Sequence, residues 1–270
     1  MGLKFELKQS FRTPQFKLAL IIEFIIVILH FIIRDVSLFI SNRSIEAFNV
    51  YMLYPVSSYE AWIALDYRFY MYMILLLCPI LAALPYSTSH YTQIRGCIGK
   101  NVFIRVGKKK YLKNKLIAVF INGGVTVCLP LLVDLLMCMA IFPSIKPEVS
   151  SFTLLVPHSS FSNIYYNYPL LNCIIEFGFI FVFSGIWAIL ALACTKYVKY
   201  KYTIVIIGAI INLFLSVIGD FISKDSIAPT SFLAGYFSKP RILPFVVEGL
   251  LFFIIVVVDY LLLGSRGDIE

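Results

Sequence analysis

Six long apolar segments, separated by polar stretches, dominate the pattern of hydrophobic positions along the chain. Each is long enough to cross about 30 Å of hydrocarbon at about 1.5 Å per residue of α-helix. Runs such as LALIIEFIIVILHFII do not alternate between apolar and polar residues, as membrane β-strands would. The pattern predicts an all-α polytopic membrane protein, a single domain over residues 1–270, with transmembrane helices near 16–34, 68–90, 116–142, 168–194, 202–222 and 242–263.

Composition excludes an ordinary soluble domain. The chain is 60% hydrophobic and only 14% charged, whereas soluble domains carry about 25% charged residues. No small-residue cleavage site follows the first apolar run, so we expect it to remain as the first span. The six cysteines fall in predicted spans or on the predicted cytoplasmic side, so we expect no disulfide framework.

The distribution of lysine and arginine predicts the orientation. Four lie before or at the start of the first span, eight between Arg95 and Lys115, three after the fourth span and one in the tail, which together make 16 of the 23. By the positive-inside rule, the chain is a multi-pass protein of the cell membrane with both termini in the cytoplasm. The basic loop can also contact anionic membrane lipid. We expect no nucleic-acid partner, because no nucleic-acid-binding fold fits in a loop of about 25 residues.

Two segments outside the spans have patterns of their own. Before Pro14, apolar and basic positions recur every four residues, which predicts an N-terminal amphipathic helix at the inner interface; a disordered basic terminus is the alternative. The half-apolar segment GDFISKDSIAPTSFLAGYFSKPRILP, between spans five and six, predicts short re-entrant helices on the outer side.

No motif predicts catalysis or a bound cofactor. GCIGKN lacks the first glycine and the hydroxyl of a phosphate-binding loop, and neither H-E-x-x-H nor G-x-S-x-G occurs. The three histidines, His30, His90 and His158, are too scattered in sequence to predict a metal site. We therefore expect a transport subunit rather than an enzyme, with no catalytic, cofactor-binding or metal-binding residue.

Acidic residues inside the apolar segments indicate function more directly than any sequence motif in the chain. Glu23, Asp134, Glu176 and Glu248 lie within predicted spans, and Asp259 lies near the inner end of the last one. A charge at the centre of a bilayer costs about 2.5–3.5 kcal/mol on insertion scales, so such residues usually face protein or a water-filled path. Glu23, Asp134 and Glu176 are candidates for a substrate path, and hydrogen-bonded packing contacts are the alternative reading.

The layout resembles the permease subunits of ABC transporters of the ABC-2 exporter type. The local resemblance lies in TQIRGCIGKNVFIRVGKKKYLKNKL, where Gly96, Arg105 and Lys115 match a glycine, a turn region and a lysine that opens the third span. The chain departs from the family pattern where acidic residues usually precede the glycine, since it has Gln93 and Arg95 there.

The resemblance implies a cytoplasmic coupling loop at 91–115 that docks on a separate ATP-binding cassette subunit. The contact residues would be Gly96, Ile98, Gly99, Phe103 and Arg105. Two permeases, either two copies or a copy with a homologous permease, would pair with two ATPases, and ATP and Mg²⁺ would bind in the partner. The cargo would be hydrophobic or amphipathic, such as a peptide toxin, an antimicrobial, a lipid or a drug.

Two other functions remain open on the sequence. One is an ion-coupled secondary transporter that uses the buried carboxylates. The other is a membrane-embedded enzyme or an accessory protein, such as a maturation or immunity factor. An ATP-binding subunit that co-purifies with the chain would distinguish the exporter from both.

Overall fold

Helices make up the fold throughout the described chain. The computed structural model describes residues 2–40, 56–66, 69–95, 107–147, 161–198, 200–222, 227–234 and 241–259. Its α-helices are α1 (Leu3–Ser10), α2 (Pro14–Ile40), α3 (Ser58–Ala61), α4 (Phe69–Ala83), α5 (Ser89–Arg95), α6 (Lys108–Ile141), α7 (Ser162–Asn167), α8 (Pro169–Ala193), α9 (Lys201–Phe221), α10 (Pro229–Phe232) and α11 (Ile242–Val257).

Among the described residues, four helices are long and apolar enough to cross a membrane: α2, α6, α8 and α9, over Pro14–Ile40, Lys108–Ile141, Pro169–Ala193 and Lys201–Gly219. This confirms the all-helical class and indicates a membrane protein. The apolar helices α4 and α11, at Phe69–Ala83 and Ile242–Val257, are shorter. At about 1.5 Å per residue they cover about 22–24 Å, less than the hydrocarbon core. The six-span layout therefore stays a prediction.

Several helix ends differ from the predicted spans. Helix α4 ends at Ala83 rather than near residue 90, because Pro85 lacks an N–H and its ring clashes with the preceding turn. Helix α6 begins at Lys108, so the second half of the basic stretch is helical rather than loop. Helix α2 continues to Ile40. The apolar pattern missed these extensions because polar residues continue the helices beyond the apolar segments.

Helices α6 and α8 pack closely through glycines. A Cβ atom added at Gly123 would lie 2.5 Å from Ala188 Cβ, and one at Gly185 would lie 2.6 Å from the Phe120 ring. At Gly124 an added Cβ would lie 2.6 Å from the Phe181 ring. Small residues let the two backbones approach, as is usual between membrane helices.

An aromatic core joins α8 to the end of the chain. Phe183 contacts Trp187 within α8, Phe232 on α10, and both Phe245 and Phe252 on α11. The ring centroids lie 5.2–6.4 Å apart, mostly edge to face, which is the favoured geometry for aromatic pairs. These contacts fix the one-turn helix α10 and the helix α11 against α8.

Outward faces of the long helices are apolar. On α2, exposed isoleucines and leucines recur at helical spacing, among them Leu18, Ile21, Ile25, Ile28 and Ile32. Helix α11 presents a similar face. A contiguous apolar surface of this extent is rare on soluble monomers. It suits contact with lipid.

Residues 57–66 enter the bundle instead of lying over its end. Trp62, Ile63, Ala64, Leu65 and Asp66 are all fully or almost fully buried, although the chain there forms turns. The indole of Trp62 donates to the Leu131 carbonyl of α6 at 3.0 Å. Non-helical backbone is tolerated at such depth only when protein groups satisfy its hydrogen bonds. We call residues 57–66 the distal insert, after the end of the bundle at which α2 and α6 finish.

Helix α1 exists as predicted at Leu3–Ser10. Its inward side is more polar than the sequence pattern suggested, because Glu6 and Ser10 are buried against α6 while Phe5 is half exposed. The Asn122 amide on α6 donates to the Ser10 hydroxyl at 3.3 Å. Its position at the inner membrane interface stays a prediction.

Candidate functional site

Many buried charges of the described chain lie toward the two ends of the helical bundle, whereas Glu23 is buried at the middle of α2. We call proximal the end at which α1 meets the start of α6, and distal the end at which α2 and α6 finish. Two clusters result, one at each end. We define the His30 cluster as His30, Arg34, Asp35, Asp66 and Asp134, and the Lys115 cluster as Glu6, Tyr86, Gln93, Tyr111 and Lys115.

The His30 cluster surrounds one imidazole with three carboxylates. His30 Nδ1 lies 3.5 Å from Asp35 Oδ2 and 3.4 Å from Asp134 Oδ1. Nε2, on the other side of the ring, lies 3.6 Å from Asp66 Oδ2. All four side chains are inaccessible to solvent. The ligand atoms of His30, Asp35 and Asp134 lie within 4.8 Å of one another, so these three residues could hold a metal ion.

A π-helical turn in α2 brings His30 and Asp35 together. In an α-helix, residues five apart point about 140° away from each other around the axis. Phe31–Asp35 forms a π-helix instead, whose wider turn brings residues five apart closer to one face. Such turns are frequent at functional sites. Tyr70 of α4 packs edge to face on the His30 ring, with centroids 5.4 Å apart.

Protein donors hold the carboxylates of the His30 cluster. The Ile63 N–H of the distal insert donates to Asp134 Oδ2 at 2.9 Å. Arg34 Nη1 donates to Asp35 Oδ1 and to the Ala61 carbonyl, both at 3.2 Å, and its Nε lies 3.1 Å from Asp66 Oδ2. The cluster therefore connects α2, the distal insert and α6.

The Lys115 cluster lies at the proximal end. Lys115 Nζ, completely buried, donates to Glu6 Oε2 on α1 and to Gln93 Oε1 on α5, both at 3.1 Å. The Tyr86 hydroxyl donates to the same Glu6 oxygen at 2.6 Å, and the Tyr111 hydroxyl donates to Gln93 Oε1. Nζ also lies 4.0 Å from the centroid of the Tyr86 ring. One lysine thus links α1, the α4–α5 connection and α6.

A further buried ion pair, Arg241 with Glu176, joins the residue before α11 to α8. Arg241, immediately before α11, donates through both terminal nitrogens to the two oxygens of Glu176 at 2.6 Å. Its Nε donates to the Phe232 carbonyl of α10 at 2.7 Å. A bidentate, fully satisfied pair of this kind favours the packing interpretation of Glu176. Its role in a substrate path stays a prediction.

Other acids of the predicted spans have different surroundings. Glu23 is buried at the middle of α2, and neither carboxylate oxygen makes a hydrogen bond within the described chain. Glu248 is half-buried on α11. Asp259 accepts a hydrogen bond from the Tyr197 hydroxyl at 2.6 Å, and this contact raises the pKa of Tyr197.

Two surface grooves accompany the clusters. An apolar groove of about 570 Å³ lies between α6 and α8 and is lined by Val125, Leu129, Ile174, Phe177 and neighbouring apolar residues. A more polar groove of about 360 Å³ lies beside the Lys115 cluster, between α1, the α4–α5 segment and the start of α9.

The predicted contact residues of the coupling loop, Gly96, Ile98, Gly99, Phe103 and Arg105, lie outside the described residues. The flanking parts of that loop are the helix α5 and the first two turns of α6. Of the predicted path residues, Glu23, Asp134 and Glu176 are all buried, but the structure places them in three separate surroundings.

Sequence reasoning missed the His30 cluster. Arg34 ended the first predicted span, Asp35 and Asp66 fell between the first two predicted spans, and His30 was compared only with the other histidines. The sequence feature that could have indicated the cluster is the set of three acids, Asp35 and Asp66 on either side of a long loop and Asp134 in a predicted span. Their proximity in space depends on the π-helical turn and the distal insert, which the sequence pattern does not show.

No family model, no curated protein and no solved structure matches this chain. The fold alone therefore gives the class: over the residues that the structure describes, the protein is all-helical and has four helices long and apolar enough to cross a membrane.

Proposed function

We propose that this chain is the transmembrane permease subunit of an ATP-driven exporter of the ABC-2 type. It moves a hydrophobic or amphipathic cargo out of the cell. A separate ATP-binding subunit hydrolyses ATP with its Mg²⁺, and two permeases work with two such subunits. The observation that carries the proposal is the linkage of α5 to α6 and α1 through the Lys115 cluster.

The linkage suits a segment that transmits movement. Helix α5 begins six residues after α4 ends, and Gln93 on α5 accepts hydrogen bonds from both Tyr111 and Lys115 of α6. Helix α6 has 34 residues, so at about 1.5 Å per residue it runs about 50 Å along the bundle. Displacement of α5 by a docked partner would pull on α6 near its start and, through α6, on α8.

Exposed charge at the proximal end and an apolar groove between α6 and α8 suit the same proposal. Lys109 and Lys110 are exposed in the first turn of α6, beside the residues expected to dock. The apolar groove between α6 and α8 suits a hydrophobic cargo or a lipid chain. The cytoplasmic location of both termini, the six spans and a re-entrant role for α10 belong to this proposal.

Co-purification with an ATPase tests the proposal. The chain is co-expressed with any ATP-binding cassette subunit that a neighbouring gene encodes, and ATP hydrolysis by the purified complex is measured. A bulky side chain at Gly99 (G99W) or a charge at Ile98 (I98D) should lower permease-dependent hydrolysis at least about fivefold, because a helix seated in a cleft tolerates little added bulk. Membrane insertion should be unchanged.

The matched control is the triple replacement of Lys108, Lys109 and Lys110 by arginine. It keeps the charge, so hydrolysis should stay within about twofold of the parent. If the ATPase binds and all variants hydrolyse ATP alike, the loop is a lipid contact rather than a coupling element. If no ATPase associates with the chain, the permease proposal itself fails.

An ion-coupled secondary transporter is the second candidate, and Glu23 is the observation that favours it. A buried carboxylate without a hydrogen bond in the described chain could take up and release a proton during transport. Transport that continues without an ATPase, stops on addition of a protonophore and is lost in Glu23→Gln would establish this candidate instead of the exporter.

A further inference from the structure

Three ligand atoms converge in the His30 cluster at separations that fit a metal ion. His30 Nδ1 lies 3.4 and 3.5 Å from the nearest oxygens of Asp134 and Asp35. Charge-assisted hydrogen bonds between such groups are shorter, about 2.7–2.9 Å. Ligands bound at about 2.0–2.1 Å to a tetrahedral Zn²⁺ lie about 3.3–3.4 Å apart. The observed spacing is that of an edge of a coordination tetrahedron.

Each of the two carboxylates has one oxygen engaged elsewhere. Asp134 Oδ2 accepts from the Ile63 N–H, and Asp35 Oδ1 accepts from Arg34. The other oxygen of Asp35, Oδ2, is also within 3.5 Å of the Cys138 thiol, a weak donor that a bound cation would displace. The oxygens near His30 Nδ1 are therefore Asp134 Oδ1 and Asp35 Oδ2. Outer hydrogen bonds that orient ligating carboxylates in this way accompany protein metal sites.

The imidazole has a matching second partner. His30 Nε2 makes no hydrogen bond in the described chain, but it faces Asp66 Oδ2 at 3.6 Å. A ligating histidine usually directs its other nitrogen to a carboxylate, which fixes the tautomer. Here that arrangement leaves the proton on Nε2 and a lone pair on Nδ1, directed toward Asp35 and Asp134.

The charge of the cluster also favours a bound cation. Three carboxylates and one guanidinium leave two negative charges in excess when His30 is neutral, and these side chains are between 0% and 9% exposed. An uncompensated buried charge costs several kcal/mol. One divalent cation would neutralise the excess.

We propose that His30, Asp35 and Asp134 bind one divalent transition-metal ion of the Zn²⁺ or Mn²⁺ class. One nitrogen and two carboxylate oxygens favour such ions over Ca²⁺, which takes six to eight oxygens, and over Mg²⁺, which keeps oxygen ligands and water. The ion ties the π-helical turn of α2 to α6, while the outer partners Ile63 and Asp66 fix the distal insert around it. The proposal stands independently of the exporter.

The test uses the full-length chain in detergent, purified without a histidine tag and stripped with a chelator that is then removed. Titration with ZnCl₂ followed by calorimetry should give about one site per chain, and the thermal unfolding midpoint should rise as Zn²⁺ is added because binding stabilises the folded state. Absence of binding, or binding without a change in the midpoint, would refute the proposal in favour of a metal-free ion cluster around protonated His30.

Matched variants locate the site. Asp134→Asn retains an oxygen for the Ile63 N–H but loses the anionic ligand, and it should weaken Zn²⁺ binding at least about tenfold. Glu23→Gln, at another buried acid, should bind Zn²⁺ like the parent. Equal Zn²⁺ affinities in these two variants would show that the ion binds at another site. If Asp134→Asn does not fold, Asp66→Asn takes its place, and loss of the carboxylate that faces His30 Nε2 should cost about 10–100-fold in affinity. Unchanged affinity in folded Asp66→Asn would count against the site.

Discussion

The ammonium of Lys115 lies inside the bundle because Glu6, Gln93 and the Tyr86 ring replace the water it would otherwise bind. Four separate segments of the chain supply these groups and Tyr111. The cluster thus surrounds the buried ammonium with polar groups that no single helix could supply. The sequence indicated Lys115 through its position at the start of a span, but not its partners.

Removing the lysine charge tests this interpretation. Lys115→Met should destabilise the fold by about 3–5 kcal/mol, since it leaves Glu6 buried without a counter-charge. The double variant Glu6→Gln/Lys115→Met should recover a large part of that loss. Unfolding of the purified chain in detergent, followed by circular dichroism, measures both.

The control is Lys113→Met, an exposed lysine two residues earlier on α6, which should change stability by no more than about 0.5 kcal/mol. Losses that simply add in the double variant would show that Glu6 and Lys115 do not depend on each other.

At the scale of elements, the contact between α6 and α8 sets the spacing of the bundle. Gly123→Val should separate the two helices, because its added atoms would overlap Ala188, which is 2.5 Å from the position of a Cβ. We expect a loss of about 1–3 kcal/mol or more from overpacking. Gly178→Val on the exposed face of α8 has open space at its Cβ and should cost less than about 1 kcal/mol.

The unfolding midpoints of the two valine variants, measured side by side, decide this prediction. Both changes add the same side chain to a helix, so helix propensity cancels in the comparison. Equal midpoints would mean that α6 and α8 can move apart freely at this point.

The long apolar helices were predictable from the length of the apolar segments. The close approach of α8 to α6 at Gly123 and Gly124 was predictable from the small size of glycine. Three features were not. The extension of α6 back to Lys108 depends on contacts of Tyr111 and Lys115, the π-helical turn has no sequence period, and the distal insert is buried only because α6 offers Leu131 and Asp134. Tertiary partners decide each of these, and a linear pattern does not contain them.

For the whole molecule, the charge distribution predicts which end faces the cytoplasm. A cysteine at Lys109, at the start of α6, should resist an impermeant thiol reagent in intact cells, whereas a cysteine at Lys146, beyond the end of α6, should react. A third external position, Asp225, lies outside the described residues. The parent chain, whose five described cysteines are buried or half-buried, gives the background.

Permeabilised cells provide the internal control, because both cysteines should react there. The reverse pattern in intact cells, with Lys109→Cys labelled and Lys146→Cys protected, would invert the orientation. It would also place the Lys115 cluster outside the cell, where no ATP-binding subunit could reach it.

The distal insert has a consequence for biogenesis. Its Trp62 and Ile63 bond to residues 69 and 71 positions later in the chain. At about 5–20 residues per second, a ribosome needs about 4–14 s to supply them. During that interval the turns of residues 57–66 have no α6 to satisfy their backbone. The nascent protein must therefore keep this segment in water or under a chaperone until α6 arrives, and only then can the distal end close.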